Sequence, residues 1–214
     1  MSSSALDFQP KRGRPSAKQV AAIEHTILST ARRLFFDEGF DAVPMEGIAA
    51  AAGVSKGTLY SRYPSKSALF SAIIEKSVAE WSELSAQQDH LLNDDIAERL
   101  KHHARTIAGS LVLPEVKAFQ RTLLANRDRF PELSRAMYDT GYRYIVQLIA
   151  RDIQAAADRD DMPVRDAVTV GELLVSAVTG WQLQEMAHHD LSYDEIEQFA
   201  MRTVDLLLAA RPAW

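Results

Sequence analysis

The fourteen residues Gly53-Val54-Ser55-Lys56-Gly57-Thr58-Leu59-Tyr60-Ser61-Arg62-Tyr63-Pro64-Ser65-Lys66 constrain the fold of this chain more tightly than any other stretch. A glycine directly after the run Ala49-Ala50-Ala51-Ala52 gives the backbone the freedom a sharp bend needs. Ser55 stands where a hydroxyl accepts from the free amides of a helix's first turn. Together they predict the turn and second helix of a helix-turn-helix, followed by a further helix whose first turn holds Lys66. The predicted helix has a thin apolar side, Leu59 and Tyr63, while Lys56, Thr58, Tyr60, Ser61 and Arg62 present donors, hydroxyls and aromatic edges. Short polar side chains of this kind reach base edges in a major groove, and cationic or hydroxyl groups reach phosphates. An ordinary solvated helix is the alternative.

Gly39-Phe40, Met45, Ile48-Ala49, the unbroken run from Ala52 to Tyr60, Tyr63, and Lys66 with Leu69-Phe70 together resemble the DNA-binding domain of TetR/AcrR family transcriptional regulators. The match covers roughly the first third of the chain and uses many more ordered positions than a generic helix-turn-helix pattern requires. This resemblance implies an all-α protein, with an N-terminal three-helix helix-turn-helix DNA-binding domain and a larger C-terminal helical ligand-binding and dimerisation domain. It further implies a homodimer, a double-stranded DNA operator of pseudo-palindromic sequence, and a small-molecule effector that releases the protein, with no catalytic step. The DNA-binding residues on this reading are Ser55, Lys56, Gly57, Thr58, Tyr60, Ser61, Arg62, Tyr63 and Lys66, the last offered to phosphate beside the amides of its own helix start. The chain departs from the family at Val43 and Pro44, where a Thr/Ser pair often caps the second helix and holds phosphate. Proline fits a first helical turn but donates nothing. Glu46, in the same turn, complements the helix dipole yet is unsuited to phosphate.

A net charge of −5 argues at first against nucleic acid, and its distribution reverses the argument. Residues 1–70 hold nine Lys/Arg against six Asp/Glu, and the remainder holds 15 against 23. Ahead of the first helix, Lys11-Arg12-Gly13-Arg14-Pro15 resembles the core of minor-groove arms of the AT-hook type, in which a glycine lets flanking arginines lie deep in a narrow groove. Arg12 and Arg14 are therefore candidate DNA contacts; a solubilising tail is the alternative.

A chain of 214 residues that is 47% hydrophobic can bury a core as one medium domain or as a small domain fused to a larger one. With no cysteine, disulfides, thiol catalysis and Cys-bound metals are excluded. The polar start of the chain lacks the apolar run of a leader or membrane span, so a cytoplasmic location is expected. Ile23, Ile27, Ala31, Leu34 and Phe35 predict a helix over about 21–38, stopped by Gly39. A short second helix turns Met45, Ile48, Ala49 and Ala52 inward, and Ser65 caps a long fourth one. Beyond residue 90, helices are predicted to open at Asn93-Asp94, Pro114 and Pro131, the last ending in the charged break 158–163. Two more close the chain, one over about 164–188 and one announced by the capping box Ser192/Glu195. Both are too apolar for one face of a monomer. The resembled family pairs them with their symmetry mates in a four-helix bundle, where Gly171, Ala177 and Gly180 allow close approach; intrachain packing is the other use for these small residues.

The expected division is a flexible basic arm over 1–20, a helix-turn-helix domain over 21–70, and a helical ligand-binding and dimerisation domain over 71–214. Trp81, Phe119, Tyr138, Tyr142 and Trp181 are candidate pocket residues for an effector of apolar or aromatic character, each equally at home in a core. Catalysis has little to work with. His102-His103 and His188-His189 are adjacent pairs that project in different directions on a helix, and Glu185/His189, though at ligand spacing, fits a solvated pair. With no recognised nucleophile, metal or cofactor motif, the expectation is no catalytic residue, no metal and no cofactor. A helical interaction protein that does not bind DNA is the other rival, and it has no need of the polar cluster between Lys56 and Lys66.

Overall fold

The computed structural model describes residues 16–89, 93–126, 128, 131, 134–135 and 138–214, with backbone alone for 81–89, 115, 119, 122–123 and 125–126. Its regular elements are helical. They run α1 (Ala17–Glu38), α2 (Met45–Ala51), α3 (Lys56–Arg62), α4 (Lys66–Asp89), α5 (Ile96–Leu111) and α6 (Pro114–Asn126). A π-helical turn (Tyr138–Tyr142) then leads into α7 (Arg143–Asp160), followed by α8 (Ala167–Glu185), α9 (Tyr193–Ala209) and a closing 3-10 turn (Arg211–Ala213). Among the described residues no helix is long and apolar enough to cross a membrane.

The helix boundaries follow their caps. α1 starts four residues earlier than its apolar period predicts, because Ser16 and Gln19 form a capping box: the Gln19 amide donates to Ser16 Oγ at 3.3 Å and the Ser16 amide to Gln19 Oε1 at 2.9 Å. The cap of α5 is Asp95, not Asn93 or Asp94; its carboxylate accepts from the Ala97 amide at 2.9 Å, while Asn93 Oδ1 takes the amide of Asp95 itself. α8 begins at Ala167 under Asp166 and ends at Glu185, inside the predicted span. The Ser192/Glu195 box forms as predicted. Gly53 holds φ of +66°, the left-handed conformation that the bend between α2 and α3 requires.

The described residues form two apolar cores, and α4 belongs to the first. In the first, Phe35 of α1, Phe40 of the following connection and Phe70 of α4 meet with ring centroids 5.1 to 5.8 Å apart, edge-on or tilted, geometries that add about 0.5–1.5 kcal/mol per pair beyond area burial. Ile27, Ile48, Leu59 and Leu69 complete it with no exposed surface, so α3 is held by a single fully buried leucine. The second core gathers α5, α7, α8 and α9 around Leu100, Ala104, Ile149, Leu174, Ile196 and Val204. Gly171 belongs to this intrachain packing: a Cβ there would stand 3.0 Å from the carbonyl oxygen of Val146 on α7. Its small size serves the α7–α8 contact inside one chain, whereas Gly180 is exposed with nothing within 4 Å.

The C-terminal end is tied down by polar contacts. Asp160 takes Arg159 Nε and Arg211 Nη2, each at 2.7 Å, and those two bonds hold its carboxyl at about 2. The Trp214 indole donates to the Leu207 carbonyl at 2.9 Å.

Candidate nucleic-acid interface and ligand cavity

The outward face of α3 is built from one cap and one anchor. Ser55 Oγ accepts from the Thr58 amide at 3.1 Å and lies 2.8 Å from the Thr58 hydroxyl, which fixes the first turn. Leu59 and Tyr63 are buried, 0% and 8% exposed, so the helix is locked with Lys56, Gly57, Tyr60 and Ser61 to solvent and Thr58 and Arg62 half-buried. Ser61 Oγ donates to the Thr58 carbonyl at 3.0 Å. A Cβ on Gly57 would meet only Ser55 Oγ, at 3.9 Å, so nothing inside the protein calls for glycine there. Tyr63 lies in the first core, in keeping with its place on the apolar side of the helix.

Lys66 is the larger correction. Its ammonium donates to the carbonyl oxygens of Phe40 at 2.7 Å, Asp41 at 3.2 Å and Val43 at 3.0 Å, and lies 4.9 Å from the Phe40 ring centroid. An ammonium has three protons, and three carbonyls of the α1–α2 connection take them. Lys66 is thus a tether for that connection, not a group held out to phosphate. Pro44 is the residue before the first turn of α2 and makes no side-chain cap, and Val43 is buried at 2% exposure, so the family's hydroxyl pair has no substitute here.

Glu46, read from sequence as complementing the helix dipole and unsuited to phosphate, reaches across to α3. Its Oε1 lies 3.8 Å from Lys56 Nζ and accepts from the Tyr60 hydroxyl at 3.4 Å. Partial desolvation and then the Glu46 carboxylate raise the Tyr60 hydroxyl above its ordinary range. Arg12 and Arg14 lie outside the described residues.

Between the two cores α4 has a cavity on one side and a groove on the other. The cavity, about 520 Å³, is walled by α4, α5, α6, the π turn, α7 and α8. Tyr138 and Tyr142, both expected, line it from the π turn, with their rings stacked at 5.4 Å. Trp181 does not: it stacks on Phe199 at 4.4 Å between α8 and α9, satisfying the core reading. The side chains of Trp81 and Phe119 lie outside the described residues. The other polar walls are Ser77 on α4 and His103, Thr106 and Ser110 on α5, with Gln120, Ser134, Tyr144 and Thr179, and no Asp, Glu, Lys or Arg appears among the described lining residues. Ser134 Oγ is buried without a hydrogen-bond partner among the described residues. A polar stripe at positions i, i+3 and i+7 along the edge of an apolar helix was the available signal for His103, Thr106 and Ser110. The partner that orients His103 had no local signal: its Nε2 meets Asp152, 49 residues away, at 2.8 Å, and Arg99 reaches the same oxygen at 3.3 Å. Burial pushes the Asp152 carboxyl up, and the bonds and fields of His103 and Arg99 more than offset this, leaving it below the usual range. The groove on the other face of α4, about 580 Å³, separates it from α1 and the start of α6.

His189 bonds Glu195 at 2.9 Å, not Glu185, and among the described residues no cluster of side chains suits a metal ion. On α8 and α9, Leu173, Leu183 and Leu206 are 53%, 42% and 73% exposed, an apolar surplus on one chain taken alone.

Comparison with known proteins agrees with this architecture. Residues 27–73 match the model for bacterial regulatory proteins of the tetR family, and residues 98–210 match the AefR-like transcriptional repressor C-terminal domain. The HTH-type transcriptional repressor AcnR of Corynebacterium diphtheriae is 25% identical over 140 residues, 64% of this chain and 69% of that protein; the chain spans about two thirds of the length of such curated relatives. Among solved structures, one described as a TetR-family transcriptional regulator from Mesorhizobium loti MAFF303099 superposes with a TM-score of 0.76 at 25% identity, covering 89% of this chain and 96% of that one. The Flavonoid-responsive Regulator FrrA superposes with a TM-score of 0.69 at 29% identity, covering 89% and 97%. A helix-turn-helix head with its polar helix turned outward, and a helical body matched over more than half the chain by a repressor domain, have one reading: the chain belongs to the TetR family of DNA-binding transcriptional regulators, and it is a regulator, not an enzyme.

Proposed function

We propose that this chain is a homodimeric repressor, working in the cytoplasm, that leaves its operator when a neutral, hydroxyl-bearing aromatic molecule fills the cavity. One observation carries the DNA-reading part: a single buried anchor, Leu59, turns Lys56, Gly57, Thr58, Tyr60, Ser61 and Arg62 to the outside of a helix capped by Ser55. The sequence-based division puts the arm at 1–20, the head at 21–70 and the body at 71–214; because α1 begins at Ala17 under the Ser16 cap, the arm is assigned to 1–15 and the head begins at Ser16, with the start of α4 packed into the head's core. Selection of bound sequences from randomised duplex DNA tests this. A pseudo-palindrome supports a dimer reading successive major grooves, and recovery of no preferred sequence rejects the assignment.

The effector class rests on the lining. Hydroxyls, one amide and the His103 imidazole, with no Asp, Glu, Lys or Arg among the described lining residues, favour a neutral ligand, because an ion desolvated there would meet no carboxylate, ammonium or guanidinium in the lining. The stacked tyrosines favour a flat ring system. The Ser134 hydroxyl, buried with no partner among the described residues, favours a polar group on the ligand. The flavonoid response in the name of FrrA fits such a ligand. A hydroxyflavone and its O-methyl ether, titrated against protein fluorescence, make a matched pair. The hydroxyl form should bind more tightly by about fivefold for one net hydrogen bond, and equal affinity would reject the polar subsite. A bound ligand presses on α4 through Ile74, Ser77 and Val78, while Ile73, Lys76 and Ser77 of the same helix face α1 across the groove. Release follows if the ligand prefers the α4 position in which the two recognition helices no longer match the operator spacing.

A further inference from the structure

Glu46 is out of place by the usual logic of a DNA-binding face. It sits in the first turn of α2, half exposed, beside the helix that meets phosphates, and adds negative charge there. Its position explains what it does. Lys56 and Tyr60 are four residues apart on the outward face of α3, and one oxygen of Glu46 serves both, the ammonium at 3.8 Å and the hydroxyl at 3.4 Å. The recognition helix therefore approaches DNA with its first cation already partnered.

We propose that Glu46 is a specificity-determining residue, which keeps Lys56 from phosphates and leaves it to a base edge that competes for it. On arbitrary duplex, a phosphate draws Lys56 only by stripping it from Glu46 and leaving a carboxylate beside the backbone's own negative charge. A guanine O6/N7 edge in the major groove offers Lys56 a directed, desolvated pair of acceptors, which repays the exchange. The contrast between operator and other DNA rises because binding to other DNA is weakened more. This inference rests on the reading of α3 as the recognition helix.

The test uses the full-length protein, the best duplex recovered from the randomised pool, and a scrambled duplex of the same composition, each titrated over a salt series. Glu46→Gln keeps the shape and the acceptor oxygen but removes the charge. An exposed ion pair sets the scale of the effect, so the operator-to-scrambled affinity ratio should fall by about two- to fivefold. The slope of log K against log salt on the scrambled duplex should steepen by up to about 0.9, one added phosphate contact. In a Lys56→Gln background the same change should have no further effect on the ratio. Equal gains on both duplexes, or an undiminished effect in that background, overturn the proposal. A wild-type protein that recovers no preferred duplex overturns it together with the recognition-helix reading, whereas a preferred duplex with an unmoved ratio overturns it alone. Both side chains are exposed, so the substitutions leave the core untouched, and unchanged thermal unfolding confirms that the comparison is between folded proteins.

Discussion

Replacing Lys66 by methionine separates the tether from the phosphate contact that sequence reasoning assigned to it. Methionine keeps much of the side chain's length and loses the ammonium. Three carbonyl oxygens, of Phe40, Asp41 and Val43, then lose their donor, two of them in partly buried bonds. A hydrogen bond to a charged group contributes about 1.5 kcal/mol at the low end of its range, so three contribute about 4.5. Immobilising a lysine offsets about 2 of that, and the net loss is about 2–3 kcal/mol. For a chain of this size each kcal/mol moves Tm by about 2–4 °C, so thermal unfolding should shift down by about 4–12 °C. DNA binding at a temperature where the variant is folded should keep its salt slope, because no phosphate contact has been removed. The opposite pattern, unchanged Tm with a slope shallower by about 0.9, would return Lys66 to the phosphate backbone and refute the tether.

Gly57→Ala should leave the fold intact, or stabilise α3 by up to about 1 kcal/mol of helix propensity, and still weaken operator binding; loss of stability without loss of binding would show that the glycine serves the protein interior. Leu206→Glu places a charge on the most exposed apolar side chain of α9 and should yield a monomer by light scattering, with Tm of the head unchanged. Leu207, partly buried against the second core, is the poorer site for that test. Glu195 is lowered from 4.5 to about 2 by the Ser192 amide and hydroxyl and by His189, and Asp160 from 3.8 to about 2 by Arg159 and Arg211. Both are depressed carboxylates, so the stability they contribute is present above about pH 4.5 and is lost as pH falls towards 2. Glu195→Gln should flatten that acid limb, and a limb of unchanged steepness would remove Glu195 from it. Deleting residues 1–15 should weaken binding more on A·T-rich than on G·C-rich flanks at fixed salt; equal losses would make the arm an electrostatic tether.

Most of the architecture was legible because helices announce themselves locally. Ser55 and the Ser192/Glu195 box are short-range signals, and each fixes a helix start. Ser16/Gln19 carries the same signal but lies in a polar run before any apolar period, so periodicity alone starts α1 too late. The site was legible only where one helix supplies it. Lys56, Thr58, Tyr60 and Ser61 share a face of α3 whatever the rest of the chain does. Lys66 does not: its role depends on three carbonyls 23 to 26 residues upstream, and no pattern in the sequence reports where a lysine side chain ends. The aromatic candidates divide for the same reason. Tyr142 opens into the cavity and Trp181 into the α8–α9 contact because of how helices pack, although both read identically as rings on apolar helices.

The basic excess of the first seventy residues is the feature whose meaning changes most between sequence and structure. Nine cations there suggest a surface coated for phosphate. Arg32 instead faces Glu80 at 3.8 Å, Arg33 faces Asp37 at 3.8 Å, Lys56 faces Glu46, and Lys66 is spent on backbone carbonyls. Exposed pairs of this kind are weak, so Arg32, Arg33 and Lys56 can still exchange partners. Arg62, at the end of α3, has no hydrogen bond or ion pair among the described residues and is the cation of that helix open to a phosphate without exchange. Three of the remaining cations, Lys11, Arg12 and Arg14, belong to the arm. Non-specific affinity scales with the number of phosphates neutralised. On the role proposed for Glu46, a head whose cations are partnered in this way is expected to bind arbitrary DNA weakly and to leave the outcome to base contacts on α3. In this chain a net positive head and a low affinity for arbitrary DNA are compatible, because charge counted along a sequence is not charge presented to a partner.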